Sequence, residues 1–159
     1  MKTLKTHLLA LSLFLLSTNT AAELRCPQRA RVADDFSRAT AVFSGKAVAE
    51  EFRRVDYSVS GGVGEADVVV VKFKVERWWK GGSGENVILY TSVTRMPNGL
   101  ISIHGEEFSF RKGESYLVYA YGPPDRLRTS VCARTSKLAQ AEEDLRELGE
   151  GSSPLKKQK

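Results

Sequence analysis

Cysteine and histidine are scarce. The chain has two of each in 159 residues, too few for a disulfide-dense scaffold or a four-ligand thiolate or imidazole metal centre. Long apolar runs are missing too. The most apolar stretch, Leu8–Leu16, is nine residues long, about half of the ~20 needed to cross a bilayer as a helix. No Gly-x-Ser-x-Gly elbow occurs, and adjacent carboxylates such as Glu50-Glu51 and Glu142-Glu143 read as strand-surface and helix-surface charges. Positive charge is in excess, +5 overall. However, Lys2 and Lys5 precede residue 22, and Lys156, Lys157 and Lys159 follow Glu150, so the body between is almost balanced. A nucleic-acid domain concentrates basic charge on one face, so nucleic acid is not the expected partner. No enzyme, cofactor or resident metal is expected.

What is present begins with a leader. Lys2 and Lys5 form a basic start, Leu8–Leu16 an apolar centre, and Thr20-Ala21-Ala22 a small-residue cleavage signal. Together they predict a secretory signal peptide over 1–22 rather than a membrane anchor. The mature chain is then expected to be secreted or periplasmic. In an oxidising compartment Cys26 and Cys132 are expected to form one disulfide, the alternative being two buried free thiols.

The rest reads as one domain over 23–149 and a flexible basic tail over 150–159. Pro27 followed by Gln28–Phe36 reads as a short helix. Ala41–Ala49 reads as a strand with Gly45 at a bulge or close approach, and Ser58–Glu65 as a glycine-rich turn. Over Ala66–Lys80, Val71, Phe73 and Val75 alternate with Lys72, Lys74 and Glu76, the period of a half-buried strand. Strands are also expected over Asn86–Val93, Leu100–Ile103, Ser115–Tyr121 and Leu127–Ala133, and a final helix over Ser136–Leu148. Short strands between tight turns, with a helix at each end, predict an all-β fold with flanking helices. A five-stranded OB-fold-like Greek-key barrel fits best, and a two-sheet sandwich is the alternative. A monomer is expected.

Trp78-Trp79 stands out. Neighbouring strand residues point to opposite faces, so one indole is expected in the core. The other either packs on a flanking helix or, with Arg77 and Lys80, forms a ligand face of the kind OB-folds use for bases and sugars.

Several segments taken in order resemble a known family. They are Cys26-Pro27, Ala41-Val42-Phe43-Ser44-Gly45-Lys46, Phe73-Lys74-Val75-Glu76-Arg77-Trp78-Trp79-Lys80-Gly81, Phe108, Gly113-Glu114-Ser115-Tyr116-Leu117-Val118-Tyr119-Ala120, and Leu127 with Thr129–Thr135. The chain is similar over 26–149 to the tissue inhibitors of metalloproteinases (TIMPs), in particular to single-domain bacterial relatives. The resemblance implies an OB-fold barrel that acts by binding a protein, either a zinc metalloprotease or another envelope or extracellular protein. The implied contact segment is Glu23, Leu24, Arg25, Cys26 and Pro27. In the family, a terminal cysteine lends its α-amino group and carbonyl to the protease's zinc. Here, aligning Cys26-Pro27 with the family's second cysteine puts Leu24 at that position. His104-Gly105-Glu106-Glu107-Phe108 occupies the stretch where the missing cysteine's partner is expected. The reading from the residues alone keeps a second class open: an envelope oligosaccharide or nucleic-acid binder using Arg77, Trp78, Trp79 and Lys80.

Overall fold

Val71, Phe73 and Val75 are buried while Lys74 and Glu76 are exposed and Lys72 half-buried, so the period-two pattern marks a real strand. The computed structural model describes residue 26 and residues 28–59, 62–103 and 106–156. The segment 1–22 in which a leader is expected, Glu23, Leu24, Arg25, Pro27 and His104-Gly105 lie outside the described residues. In chain order the elements are α1 (Val32–Arg38), β1 (Ala41–Val59), β2 (Gly62–Lys80), β3 (Asn86–Arg95), β4 (Ile101–Ile103), β5 (Ser115–Ala120), β6 (Ser136–Lys137), a 3-10 turn (Leu138–Gln140) and α2 (Glu142–Leu148). The strands form one sheet in the order β4-β3-β2-β1-β5-β6, and every pairing is antiparallel. The fold is all-β with flanking helices. The sheet has six strands and curls into a half-barrel.

β1 and β2 form a 19-residue ribbon paired from Val42↔Lys80 to Val59↔Gly62, with register shifts at Val42/Phe43, Ser44/Gly45 and Ala47/Ala49. Such bulges bend a strand and increase its twist, which curls this ribbon. Gly45 sits at one of them, where a Cβ would lie 2.7 Å from the Lys74 carbonyl oxygen. The turn expected over Ser58–Glu65 is narrower than its glycines suggest. Lacking a side chain does not stop a backbone from pairing, and Gly62 and Gly64 pair with Val59 and Tyr57.

The strand expected over Leu127–Ala133 is reduced to an isolated bridge, Tyr121↔Arg128. Side-chain hydroxyls take the place of its ladder. Thr129 Oγ1 donates to the Tyr119 carbonyl at 2.8 Å, and the Tyr119 N–H donates to Thr135 Oγ1 at 2.9 Å. Local hydroxyl bonds compete with strand pairing in just this way. The same segment stitches the barrel's open side, because the Tyr90 N–H of β3 donates to the Leu127 carbonyl at 2.8 Å. The long C-terminal helix also starts later than expected. Ser136 and Lys137 pair with Leu117 and Tyr116 along the free edge of β5, and helix begins only at Glu142, with three acidic residues in its first turn, where they complement the helix dipole.

The curl divides the core into two. Phe43, Phe73, Trp78, Leu89, Phe110 and Tyr116 fill the inside of the barrel. On the outer face, Val42, Leu117 and Tyr119 pack with Phe36, Trp79, Leu145 and Leu148, which brings both helices against the sheet. β5 is therefore buried on both faces, as its unbroken apolar run predicts. Beyond α2 the chain returns along β2: Ser152 exchanges two backbone hydrogen bonds with Trp78 at 2.8 and 2.7 Å, and the Leu155 N–H donates to Ser83. No helix among the described residues is long and apolar enough to cross a membrane.

Candidate functional site: the disulfide-anchored N-terminal ridge

The two cysteines are joined. The Cys26–Cys132 bridge spans a sequence separation of 106 with Cα atoms 5.2 Å apart, tying the start of the described domain to the loop after Arg128. In chain-entropy terms, closing a loop of this size contributes at most about 4–5 kcal/mol. Cys26 is exposed and Cys132 half-buried.

Two residues past Cys132, Arg134 secures the same segment without a covalent bond. It is 4% exposed, and every arm of its guanidinium is used. Nη1 donates to the Ala30 carbonyl at 2.7 Å, Nε to Asp144 Oδ1 at 2.7 Å, and Nη2 to Asp144 Oδ2 at 2.9 Å and to Glu143 Oε2 at 2.8 Å. Its backbone N–H donates to Asp35 Oδ2 of α1 at 2.9 Å, while Arg38 Nη2 reaches Asp35 Oδ1 at 2.6 Å. The N-terminal segment, α1, the 130–135 loop and α2 thus converge on one ionic knot.

The environment shifts the knot's titrating groups in definite directions. Burial pushes the Asp144 carboxyl up, but the Arg134 hydrogen bonds, the Tyr119 hydroxyl and the nearby positive charges of Arg134 and Arg29 outweigh it, so the carboxyl is held below its ordinary value. Burial first, and then the bond to Asp144, drives Tyr119 well above the ordinary tyrosine value. Tyr121 moves the same way, from burial and then its hydrogen bond to Asp35. Arg134 is raised by its hydrogen bond to Asp144. These groups are locked in one charge state across the ordinary pH range, as suits a scaffold rather than proton transfer.

Beside the knot lies an open groove of about 450 Å³, walled by Gln28, Asp35, Arg38, Glu106, Tyr121 and Cys132. The disulfide forms part of its rim. Of the segment the sequence points to, Cys26 is bonded to Cys132, which lines this groove, and Glu23, Leu24, Arg25 and Pro27 fall outside the described residues.

The second set of candidate residues lies elsewhere. Trp78 is 5% exposed in the barrel core, and its Nε1 donates to the Gly84 carbonyl at 2.8 Å. Trp79 points the other way, packs with α2, and donates Nε1 to the Gly149 carbonyl at 2.9 Å. Lys80 Nζ donates to the Phe36 and Ser37 carbonyls at 2.8 and 2.9 Å, closing the last turn of α1. Arg77 is exposed and donates to the Gly151 carbonyl. The adjacent tryptophans do take opposite faces: the polar end of Trp78 fastens the turn between β2 and β3, while those of Trp79, Lys80 and Arg77 fasten α1 and the segment after α2 to the ribbon.

The ionic knot leaves no mark in the sequence: Arg134 falls just past the strand expected over Leu127–Ala133, and Asp144 reads as one more acid in Glu142-Glu143-Asp144. Among the described residues no group of three His, Cys, Asp or Glu side chains is placed to hold a metal ion. No family model matches the chain, and no curated protein matches it.

Proposed function

We propose that this chain is a secreted, non-catalytic, TIMP-like domain that works by binding another protein through its N-terminal ridge, and that its partner is a zinc metalloprotease or another envelope or extracellular protein. The observation that carries the reading is the double anchoring of the N-terminal segment, covalently by Cys26–Cys132 and by the hydrogen bond that Arg134 Nη1 donates to the Ala30 carbonyl. A segment held at two points loses less conformational entropy on association than a free one, so more of its contact energy appears as affinity. The half-barrel with helices on its outer face fits the fold that the resemblance implies.

In this reading the ridge acts by occupying a cleft. Leu24 has no thiol, so zinc chelation by a terminal cysteine is not part of the mechanism unless cleavage falls directly before Cys26. In that case a free α-amino group, with an ordinary value near 8, would stand at the head of the anchored segment. The test has two parts. Intact mass of the exported protein identifies its first residue. The purified mature protein is then titrated against a panel of zinc metalloendopeptidases. Inhibition, or saturable binding that is lost when residues before Cys26 are removed, supports the proposal. A panel left fully active and unbound at micromolar protein removes the protease as partner.

A further inference from the structure

β2 has a neighbouring strand on both sides for only part of its length. β1 pairs with it as far as Lys80, but the β3 ladder stops at Lys74↔Asn86, with one further bond from the Val75 N–H to the Glu85 carbonyl at 2.8 Å. Beyond that point the edge of β2 is covered by a strap, residues 149–155, that follows α2. Ser152 lies antiparallel to Trp78 and exchanges both backbone hydrogen bonds with it. Arg77 Nη1 donates to the Gly151 carbonyl at 3.1 Å and Trp79 Nε1 to the Gly149 carbonyl at 2.9 Å, and the Leu155 N–H donates to the Ser83 carbonyl at 2.6 Å.

Each of these bonds uses a backbone atom of the strap, while Glu150, Ser152, Ser153 and Leu155 are exposed. One position is selective. A Cβ on Gly151 would lie 2.9 Å from the Trp78 carbonyl oxygen and 2.9 Å from Cε2 of the Trp79 ring, so a glycine is required there. Main-chain bonding at a sheet edge, with a few side-chain positions setting the choice, is the chemistry of strand addition.

The strap also leaves space unfilled. A groove of about 410 Å³ opens beside Gly149–Gly151, with Trp79, Leu138 and Leu145 as its apolar lining and Glu76, Arg77 and Glu150 as its charged lining. A carboxylate at the Glu150 position gains nothing from apolar walls, whereas an apolar side chain there would be taken out of water.

We propose that the edge of β2 at Arg77–Lys80 is a strand-accepting site, with the strap as its replaceable resident, and that its ligand is an extended segment of a partner protein with an apolar residue immediately before a glycine. The strap is tethered, which gives it an effective concentration on the order of millimolar. A partner segment prevails over it by filling the groove the strap leaves empty. This groove shares no lining residue with the one at the N-terminal ridge, and the site does not depend on the ridge engaging a protease.

The test uses the full-length, isotope-labelled chain and follows two nuclear magnetic resonance signals, the Trp78 backbone amide and the Trp79 indole N–H. The probes are octapeptides: the strap's own Gly-Glu-Gly-Ser-Ser-Pro-Leu-Lys, and the same peptide with Leu in place of Glu. Gly151→Val should expel the strap by its clash with Trp79. Ser152→Pro, which removes the N–H that the Trp78 carbonyl accepts, should open the site independently if the first variant does not fold. In either opened variant both signals should move, and added peptide should return them towards their wild-type positions. The Leu peptide should bind about tenfold or more tighter than the Glu peptide, and about tenfold or more weaker to the wild type than to an opened variant, because the strap competes. Replacing the glycine after Leu by Val, or methylating the backbone nitrogen of the residue that follows that glycine, should cost about tenfold or more.

Unmoved signals in both variants, equal Leu-peptide affinity for wild-type and opened chains, equal affinity of the Leu and Glu peptides, or full binding by the methylated peptide would each overturn the proposal. So would cellohexaose binding an opened variant more tightly than the Leu peptide, since the edge would then read a saccharide. No protease enters the readout, so failure here and failure of the ridge are separately visible.

Discussion

Arg134 grips Asp144 through both carboxylate oxygens, with one side chain 4% and the other 1% exposed. A buried ion pair of this kind gains much of its attraction only to offset the cost of taking two charges out of water. Its value here is positional. One guanidinium fixes the N-terminal segment, the disulfide loop and α2 against each other, and the Tyr119 hydroxyl, 2.9 Å from Asp144 Oδ1, ties the group to β5.

Breaking that pair from one side should therefore cost more than removing it whole. Arg134→Met or Asp144→Leu alone leaves a buried charge without its partner, an effect of about 3–5 kcal/mol. The Arg134→Met/Asp144→Leu double variant should lose clearly less than the two single losses added together. Urea unfolding followed by tryptophan fluorescence gives the cycle. Additive losses would mean the two side chains are not coupled.

Stability should also fall off at both ends of the pH scale, for two different groups. The Asp144 carboxyl is lower in the folded chain than its ordinary value of 3.8. Its contribution is complete above that value and disappears as pH falls through the folded value. Tyr119 is raised above its ordinary value of 10.0, so its contribution is complete below pH 10 and is lost as pH rises past it. Urea midpoints measured across pH should form a plateau between these limits. Asp144→Asn should flatten the acid limb, and Tyr119→Phe the alkaline one.

What could be read from the sequence was whatever repeats at short range. The Val71, Phe73 and Val75 alternation gave β2, the unbroken Tyr116–Tyr119 run gave a strand covered on both faces, and adjacency alone sent Trp78 and Trp79 to opposite sides. The disulfide followed from the expectation of a leader and from having only two thiols. The ionic knot could not be read, because Asp35 and Arg134 are 99 residues apart and nothing local separates a buried charge from a surface one. The last strand failed for a related reason: Thr129 looks like an ordinary strand residue and Thr135 lies just past the expected strand, yet their hydroxyls replace the ladder that would have made a strand there. Tyr90 on β3 is approached by Arg53 of β1 and by Arg126 of the segment after β5, so only the closed sheet brings them together.

The disulfide and the knot hold the same segment, and the disulfide can be removed on its own. A Cys26→Ser/Cys132→Ser variant should lose up to about 4–5 kcal/mol while keeping its barrel, because Trp78, Phe43 and Phe73 pack away from the bridge. The near-UV signal of the buried tryptophan should persist in native buffer. Amide exchange should quicken around Ala30 and Ala133 and remain slow in β2 and β5. Uniformly faster exchange would show that the bridge supports the whole fold rather than the ridge.

Gly45 gives the sharpest test of the ribbon's bend. A methyl group there would sit 2.7 Å from the Lys74 carbonyl oxygen and 3.2 Å from the Val75 Cα, both backbone atoms on a strand that is fixed on its other side by β3. Neither can move without shifting Phe73 and Val75, which pack in the barrel core. Gly45→Ala should therefore cost about 1–3 kcal/mol, the usual range for overpacking. Gly84→Ala is the control, since its nearest atom to a new Cβ is 3.9 Å away, and it should change stability by no more than about 0.5 kcal/mol. Thermal or urea unfolding of both variants decides the matter. If Gly45→Ala is as stable as the wild type, the two strands do not approach this closely and the bulge at Ser44/Gly45 is not what bends the ribbon.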